Sequence, residues 1–308
     1  MSAISSTTFA LLLLGGAEMS AQQSSDTGSF SVDVNLVVLH ATVVNKRGGF
    51  VSGLDKQDFQ IKDGSKPQDI RFFSHEDVPV AVGLIVDNSG SMRPKRADVA
   101  AAALAFVRES NPRDQMFIVN FNEEPSFGLN STVLFSADPT ELEHALNGVP
   151  ARGQTALYDA IWTGLEQVKK SSIDKKVLIV ISDGGDNASR HHTLQQVLDA
   201  ADRSDVIIYT VGLFDEYDDD RNPGVLTKLA QTTGGEVYLP KEIPKVVRIS
   251  EQIAGDIRNQ YTIGYHPSNE TVRSGFHSIQ VTAVGPHREK CIVRTRRGYM
   301  VSPERKIQ

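Results

Sequence analysis

The chain has 308 residues, 40% of them hydrophobic and 23% charged, with a formal net charge of −6. That length is generous for one domain and comfortable for two, so a large buried core is available. The acidic balance argues against a nucleic-acid surface, which needs a basic stripe, and the single cysteine, Cys291, excludes an intramolecular disulfide and a cysteine metal cluster.

At the N-terminus, "FALLLLGGA" (Phe9–Ala17) is too short to span a bilayer, which takes about 20 residues. It has the form of a secretory signal core followed by a polar stretch after Ala21, although no Lys or Arg precedes it and Met19 stands where a small residue is preferred. Residues 1–21 are therefore expected to be a signal peptide, with the mature chain starting near Gln22 outside the cytoplasm, periplasmic or secreted. No cysteine follows for lipid attachment, and no other stretch is long and apolar enough to cross a membrane.

From Phe30 to Ser74 the texture is β: a β-branched run over Ser31–Val44, a turn at Asn45–Gly49, and two short strands around Asp63-Gly64 within Asp58–Ser74. At Val78 it changes. "PVAVGLIVD" (Pro79–Asp87), "DQMFIVNF" (Asp114–Phe121), "KKVLIVISD" (Lys175–Asp183) and "DVIIYTVGL" (Asp205–Leu213) are continuous apolar runs, the mark of strands covered on both faces. Helical patterns lie between and after them at Lys95–Ser110, Asp138–Val149, Thr155–Lys170, Thr193–Ser204, Asn222–Gly235 and Ile243–Gln260. Asp138 with Pro139 is a helix start, and the glycines at 234–235 are a helix stop. Buried strands alternating with helices imply an α/β domain over 78–260 with a doubly wound, mostly parallel sheet. From Tyr261 the chain is β again, so 30–77 plus 261–301 are expected to pair into one discontinuous β-sandwich-like domain with the α/β domain inserted. Cys291 is expected to be a buried, inert thiol, a cysteine-bridged dimer being the alternative. The Lys and Arg of "REKCIVRTRRGYM" are expected on the wet face of a strand.

Ligand sites in wound α/β sheets lie beyond the carboxyl ends of the strands. The first apolar strand delivers Asp87, Ser89 and Ser91 there; "ARGQTALYDA" delivers Thr155, placed to cap the following helix; "VLIVISD" delivers Asp183, followed by two glycines, Asp186 and Asn187. Residues at i, i+2 and i+4 of an extended stretch project to one side, and Gly90 allows an inward bend. All five donors are hard oxygens with no His or Cys, which disfavours zinc and copper and suits Mg2+, with Mn2+ or Ca2+ as alternatives.

The "DNSGSM" run (Asp-x-Ser-x-Ser), the Thr155 loop and "SDGGDN" resemble the von Willebrand factor A domain and its metal-ion-dependent adhesion site, over about residues 78–260. The flanks and the C-terminal "RRGY" resemble the von Willebrand A-related proteins of acidobacteria. The resemblance implies a Rossmann-like fold. It also implies metal contact by Ser89, Ser91 and Thr155, water-mediated contact by Asp87 and Asp183, and a partner carboxylate completing the shell. A family domain that keeps this pattern for packing alone is the alternative.

"DEYDDD" (Asp215–Asp220) lacks EF-hand spacing and is expected to be a solvated acidic turn. His191-His192 is expected to be an exposed helix start. An aspartyl phosphatase would carry a second acid where Ser89 stands, and neither a Walker loop nor a GxSxG elbow is present. The leading expectation is a non-enzymatic, metal-dependent adhesion module of the envelope or secreted space that engages an Asp or Glu of a protein partner. A Mg2+-dependent hydrolase and a structural envelope subunit with a non-functional site are the alternatives. The helix Ile243–Gln260 is expected to fasten the two domains, a sliding switch being the alternative. Oligomeric state stays open.

Overall fold

A computed structural model describes residues 36–214, 220–242, 245–267, 275–286 and 289–301. The signal-like segment, the stretch 30–35, most of the acidic turn and Ile243 lie outside the described residues.

In chain order the first strands are β1 (Val37–Val44), β2 (Phe59–Asp63), β3 (Lys66–Gln68) and β4 (Ile70–Ser74). Then come β5 (Ala81–Asp87), α1 (Arg96–Glu109), β6 (Gln115–Phe121), β7 (Pro125–Phe127), α2 (Pro139–Asn147), α3 (Leu157–Val168), β8 (Lys176–Ser182), α4 (Leu194–Asp202) and β9 (Val206–Gly212). The remainder is α5 (Pro223–Thr233), β10 (Val237–Tyr238), α6 (Val246–Arg258), β11 (Tyr261–Tyr265), β12 (Gly275–Ala283), β13 (Ile292–Arg294) and β14 (Gly298–Val301).

The central sheet has the order β10-β9-β8-β5-β6-β7 and is parallel except at the β7 edge. Every residue of β5 is buried because the strand is covered twice. Val82, Leu84 and Val86 pack with Val99 and Phe106 of α1 and Ile253 of α6, while Ala81 and Ile85 pack with Leu157 and Ile161 of α3 and Leu226 of α5. Two-sided burial erases polar alternation, which is why these strands stand out in sequence as unbroken apolar runs. Helix ends follow local chemistry: Asp138 accepts from Thr140 N at 2.8 Å with Pro139 in the first turn, and Thr193 and Gln196 form a capping box on α4.

The two ends of the chain build two further antiparallel sheets, β13-β1-β11-β4 and β14-β12-β2-β3, each containing strands from both ends. They enclose one core, with Leu39, Ala41 and Ile263 from the first sheet against Phe59, Ile61 and Val281 from the second. Asp63, buried within it, accepts from Tyr265 Oη (3.1 Å) and Tyr299 Oη (2.8 Å). Residues 58–74 form three strands rather than two: β2 and β3 turn about Gly64, and β4 crosses to the other sheet to pair with β11. Likewise "EKCIVRTRRGYMV" makes β13 and β14, strands of different sheets. Cys291 is only half-buried, with Sγ donating toward Glu289 O at 3.6 Å, which corrects the expected buried thiol.

In the C-terminal basic run Arg294 and Arg296 turn inward, while Lys290 and Arg297 stay exposed. Arg294 pairs with Glu236 and with Asp256 of α6 (3.0 Å), Arg296 pairs with Asp205 (2.6 Å) and donates to Val38 O (3.1 Å), and Arg297 donates to Gln231 Oε1 (2.9 Å). These arginines form a seam between the antiparallel sheets and the end of the central sheet where β8 and β9 begin. Gly234, left-handed at φ 81°, both ends α5 and admits this contact: an added Cβ would lie 2.2 Å from the Thr295 carbonyl carbon.

His40 of β1 lies in the same seam beside Lys175 and Arg296 and meets Thr262 Oγ1 at 3.2 Å. Burial, then those two cations, push its pKa down to about 3. The unfolded chain takes up a proton near pH 6.5 that the folded chain refuses, so this group's contribution makes stability fall as pH drops from about 6.5 toward 3. The urea midpoint should therefore drop between pH 7 and pH 5, and His40→Gln should reduce that drop; an equal drop in the variant would refute the assignment.

Candidate metal centre

The two acids arrive by topology. β5 and β8 are adjacent parallel strands, in register from Ala81↔Lys176 to Val86↔Ile181, and they end side by side at Asp87 and Ser182, with Asp183 the next residue. From β5 the chain winds to β6 on one side; from β8 it winds to β9 on the other. The gap between them is the switch point at which wound sheets open a crevice.

Asp87 is 2% exposed. Its Oδ1 accepts from Ser89 N (2.8 Å) and its Oδ2 from Ser182 Oγ (2.6 Å). Ser89 Oγ lies 3.1 Å from Ser91 Oγ, and Ser91 Oγ donates to Asp183 Oδ2 at 2.5 Å. Asp183 Oδ1 accepts from Gly185 N (3.0 Å). Gly184, left-handed at φ 80°, makes the bend after Asp183, and an added Cβ would lie 2.4 Å from Asn222 O. The Thr155 loop is stitched to both others: Gly90 N donates to Gly153 O (3.0 Å), Arg152 N to Asn88 O (2.9 Å), and Thr155 N to Asn187 Oδ1 (2.9 Å). Asp87, Ser89, Ser91 and Asp183 thus form one hydrogen-bonded group, with Thr155 on the loop held beside it.

Two details differ from expectation. The extended run stops at Ser89, and a 3-10 turn over Gly90–Lys95 brings Ser91 back; strand alternation is not what aligns the two hydroxyls. Thr155 does not cap α3, whose N-cap is Ala156 without a side-chain bond; its carbonyl instead accepts from Asn187 N and Ala188 N. Sequence reasoning also passed over Ser182, whose Oγ donates to Asp87 and accepts from Gly184 N (3.0 Å), and whose only signal was its place beside Asp183.

His192 is not an exposed helix start. Its ring stacks on Trp162 at 4.1 Å and its Nδ1 lies 2.8 Å from Asp159 Oδ1. Asp159 also accepts from Arg190 N (2.8 Å) and His192 N (2.9 Å), which ties the end of the Asp183 loop to α3. Burial works to raise the Asp159 pKa, but the Arg190 N–H, the His192 ring and the other loop N–H groups outweigh it and lower it.

Burial, reinforced by the negative charge of Asp183, raises the Asp87 carboxyl to about 7 against the pull of its Ser182 and Ser89 hydrogen bonds. The repulsion between the two carboxylates is relieved by a proton or by a cation held between them. Among the described residues no three His, Cys, Asp or Glu gather around one point, so the donors on offer are this mixed set of two carboxylates and three hydroxyls. That oxygen-only chemistry fits a small hard divalent ion.

Residues 82–185 match the family model for the von Willebrand factor type A domain. The chain carries a von Willebrand factor type A domain. The A domain's fold recurs in solved structures. A von Willebrand factor type A protein from Catenulispora acidiphila is 13% identical with a TM-score of 0.53, covering 80% of this chain and 74% of that one. Proximal thread matrix protein 1 from the mussel byssus is 15% identical with a TM-score of 0.51, covering 64% of this chain and 51% of that one. A further structure of the mussel protein, with a zinc-occupied MIDAS motif, is 16% identical with a TM-score of 0.52, covering 64% of this chain and 50% of that one. This chain spans about half the length of the mussel protein. No curated protein matches it. At these identities the likenesses establish the A-domain fold. Among the described residues no helix is long and apolar enough to cross a membrane.

Proposed function

We propose that the A domain is a divalent-cation-dependent protein-binding module working outside the cytoplasm. The observation that carries the reading is the hydrogen-bonded group Asp87–Ser89–Ser91–Asp183 at the switch point of the sheet. Ser89, Ser91 and Thr155 would hold the ion directly, and Asp87 and Asp183 through water. Mg2+ is the ion these donors favour, Mn2+ or Ca2+ being the alternatives; the zinc in the mussel protein's motif makes Zn2+ a competitor to test. With neutral hydroxyls as its direct ligands, the bound ion keeps charge with which to attract an Asp or Glu side chain of a partner. The loops 87–92, 151–156 and 182–188 contain no His or Glu. A hydrolase would then depend on Asp186, or on Glu123 packed against Gly153, as its general base, and binding is the simpler reading. The signal-like residues 1–21 support an extracytoplasmic location.

The test is capture from an envelope extract by the immobilised protein. Binding should be lost in chelator, return with Mg2+, and be absent for Asp87→Asn in either buffer. Capture that ignores chelator would sink the reading.

A further inference from the structure

Asn88, between the aspartate and the first serine of the metal loop, is 2% exposed and fully engaged. Its Nδ2 donates to Val86 O (3.2 Å) and Asn120 Oδ1 (3.0 Å), and its Oδ1 accepts from Arg96 Nη1. Its backbone clamps both neighbouring loops, N donating to Phe121 O (2.7 Å) and O accepting from Arg152 N (2.9 Å). Asn120, wholly buried on β6, donates onward to Ala145 O (2.8 Å), and Arg96 uses its second arm on Asn147 O (3.3 Å). Ala145 and Asn147 end α2, where carbonyls have no partner within the helix. The metal loop, the start of α1 and the end of α2 are thus joined by one network in which each of these side chains has its partners.

We propose that Arg96 is a positioning residue for the cation site: it fixes Asn88, and through Asn88 the backbone that presents Asp87, Ser89 and Ser91. This rests on the cation reading above. Groups behind a metal's ligands commonly set affinity as strongly as the ligands' own identity, and losing one costs about 10- to 100-fold. The sign separates positioning from charge. A guanidinium near a cation repels it, so if Arg96 acted only as a charge its removal would tighten Mg2+ binding. As a positioner, its removal weakens binding.

Mg2+ calorimetry on the full chain is the first arm. Arg96→Met should bind about 10-fold more weakly. Arg96→Lys, which keeps the charge and loses the two-armed reach, should also weaken binding, and it decides the matter if Arg96→Met does not fold. In an Asn88→Ala background, Arg96→Met should change affinity less than about twofold, because the group it acts through is gone. Equal or tighter binding by both Arg96 variants, or a full loss that persists in the Asn88→Ala background, would overturn the inference. The second arm needs no metal: amide exchange over residues 86–92, in chelator, should speed up in the Arg96 variants, and unchanged exchange would overturn the inference. A wild-type chain that takes up no Mg2+ overturns the cation reading, and the positioning of this loop is then decided by exchange alone.

Discussion

Asp87→Asn weakens Mg2+ binding by about 100-fold or more and leaves the metal-free protein folded, at least as stable as wild type. Both halves follow from the same geometry. Asparagine keeps an oxygen for Ser89 N and presents an N–H2 to Ser182 Oγ, which can accept from it, so the local hydrogen bonds survive with one hydroxyl reoriented. What disappears is a carboxylate that burial and Asp183 both disfavour, so the cost of holding two negative charges together is removed. The metal-free fold gains from that change and the cation site loses by it. Melting curves with and without Mg2+ read both effects. Wild type should gain about 2.7 kcal/mol when Mg2+ is present at 100 times its Kd, and at the same Mg2+ concentration the variant should gain about 0.4 kcal/mol or less. A variant that keeps the Mg2+-dependent gain would place the site elsewhere. A variant that unfolds in chelator would make Asp87 a structural residue first.

The A domain was legible in sequence for a physical reason. Strands covered on both faces lose their polar alternation, and β5, β6, β8 and β9 accordingly surface as apolar runs whose ends deliver Asp87 and Asp183. The three-residue edge strand β7 has no such signature and pairs along one side only. The switch of β4 from its hairpin neighbours to β11 is fixed by pairing with a distant strand, which no local pattern carries. Ser89 and Ser91 were correctly put together for a wrong geometrical reason, since a 3-10 turn does what strand alternation was expected to do. Asn88 occupies a position the motif leaves open, and its weight becomes visible only once Asn120 and Arg96 arrive from other elements. The basic C-terminal run misled for a related reason. A strand alternating Arg with apolar residues reads the same whether its outer face meets water or the acidic side chains of Asp205, Glu236 and Asp256, which are distant in sequence.

That seam also bears on α6. Its last turn is fastened from three sides: Asp256 to Arg294, Arg258 to Asp77 (2.8 Å) and Asp114, and the Ile257 carbonyl to Lys175 Nζ. The fastened turn lies at the ends of the central strands opposite Asp87 and Asp183.

Arg294→Met should cost about 3 kcal/mol of stability, the lower end of what removing one partner of a buried ion pair costs, without changing Mg2+ affinity. The two acids it serves are unequal. The Glu236 side chain is 35% exposed, so water screens it and its share is small. The Asp256 side chain is 2% exposed, and burial already raises its pKa, with Arg294 the chief group pulling it down. Without the guanidinium, Asp256 is left as a buried charge with its main counter-ion gone, and it must stay ionised at a cost or take up a proton. Replacing both partners removes that penalty, because a pair exchanged for neutral groups of similar shape is often close to neutral. The double variant Arg294→Met, Asp256→Asn should therefore recover most of the loss. Urea unfolding at pH 7 can be followed by far-ultraviolet dichroism for the whole chain and by fluorescence of the single tryptophan, Trp162 on α3, for the A domain. If the seam binds the two parts into one cooperative unit, the transitions coincide in wild type and separate in Arg294→Met, with the tryptophan signal reporting the A domain alone. A single variant within about 0.5 kcal/mol of wild type, as for an ordinary surface residue, would mean that the seam's charges are solvated and do not hold the parts together.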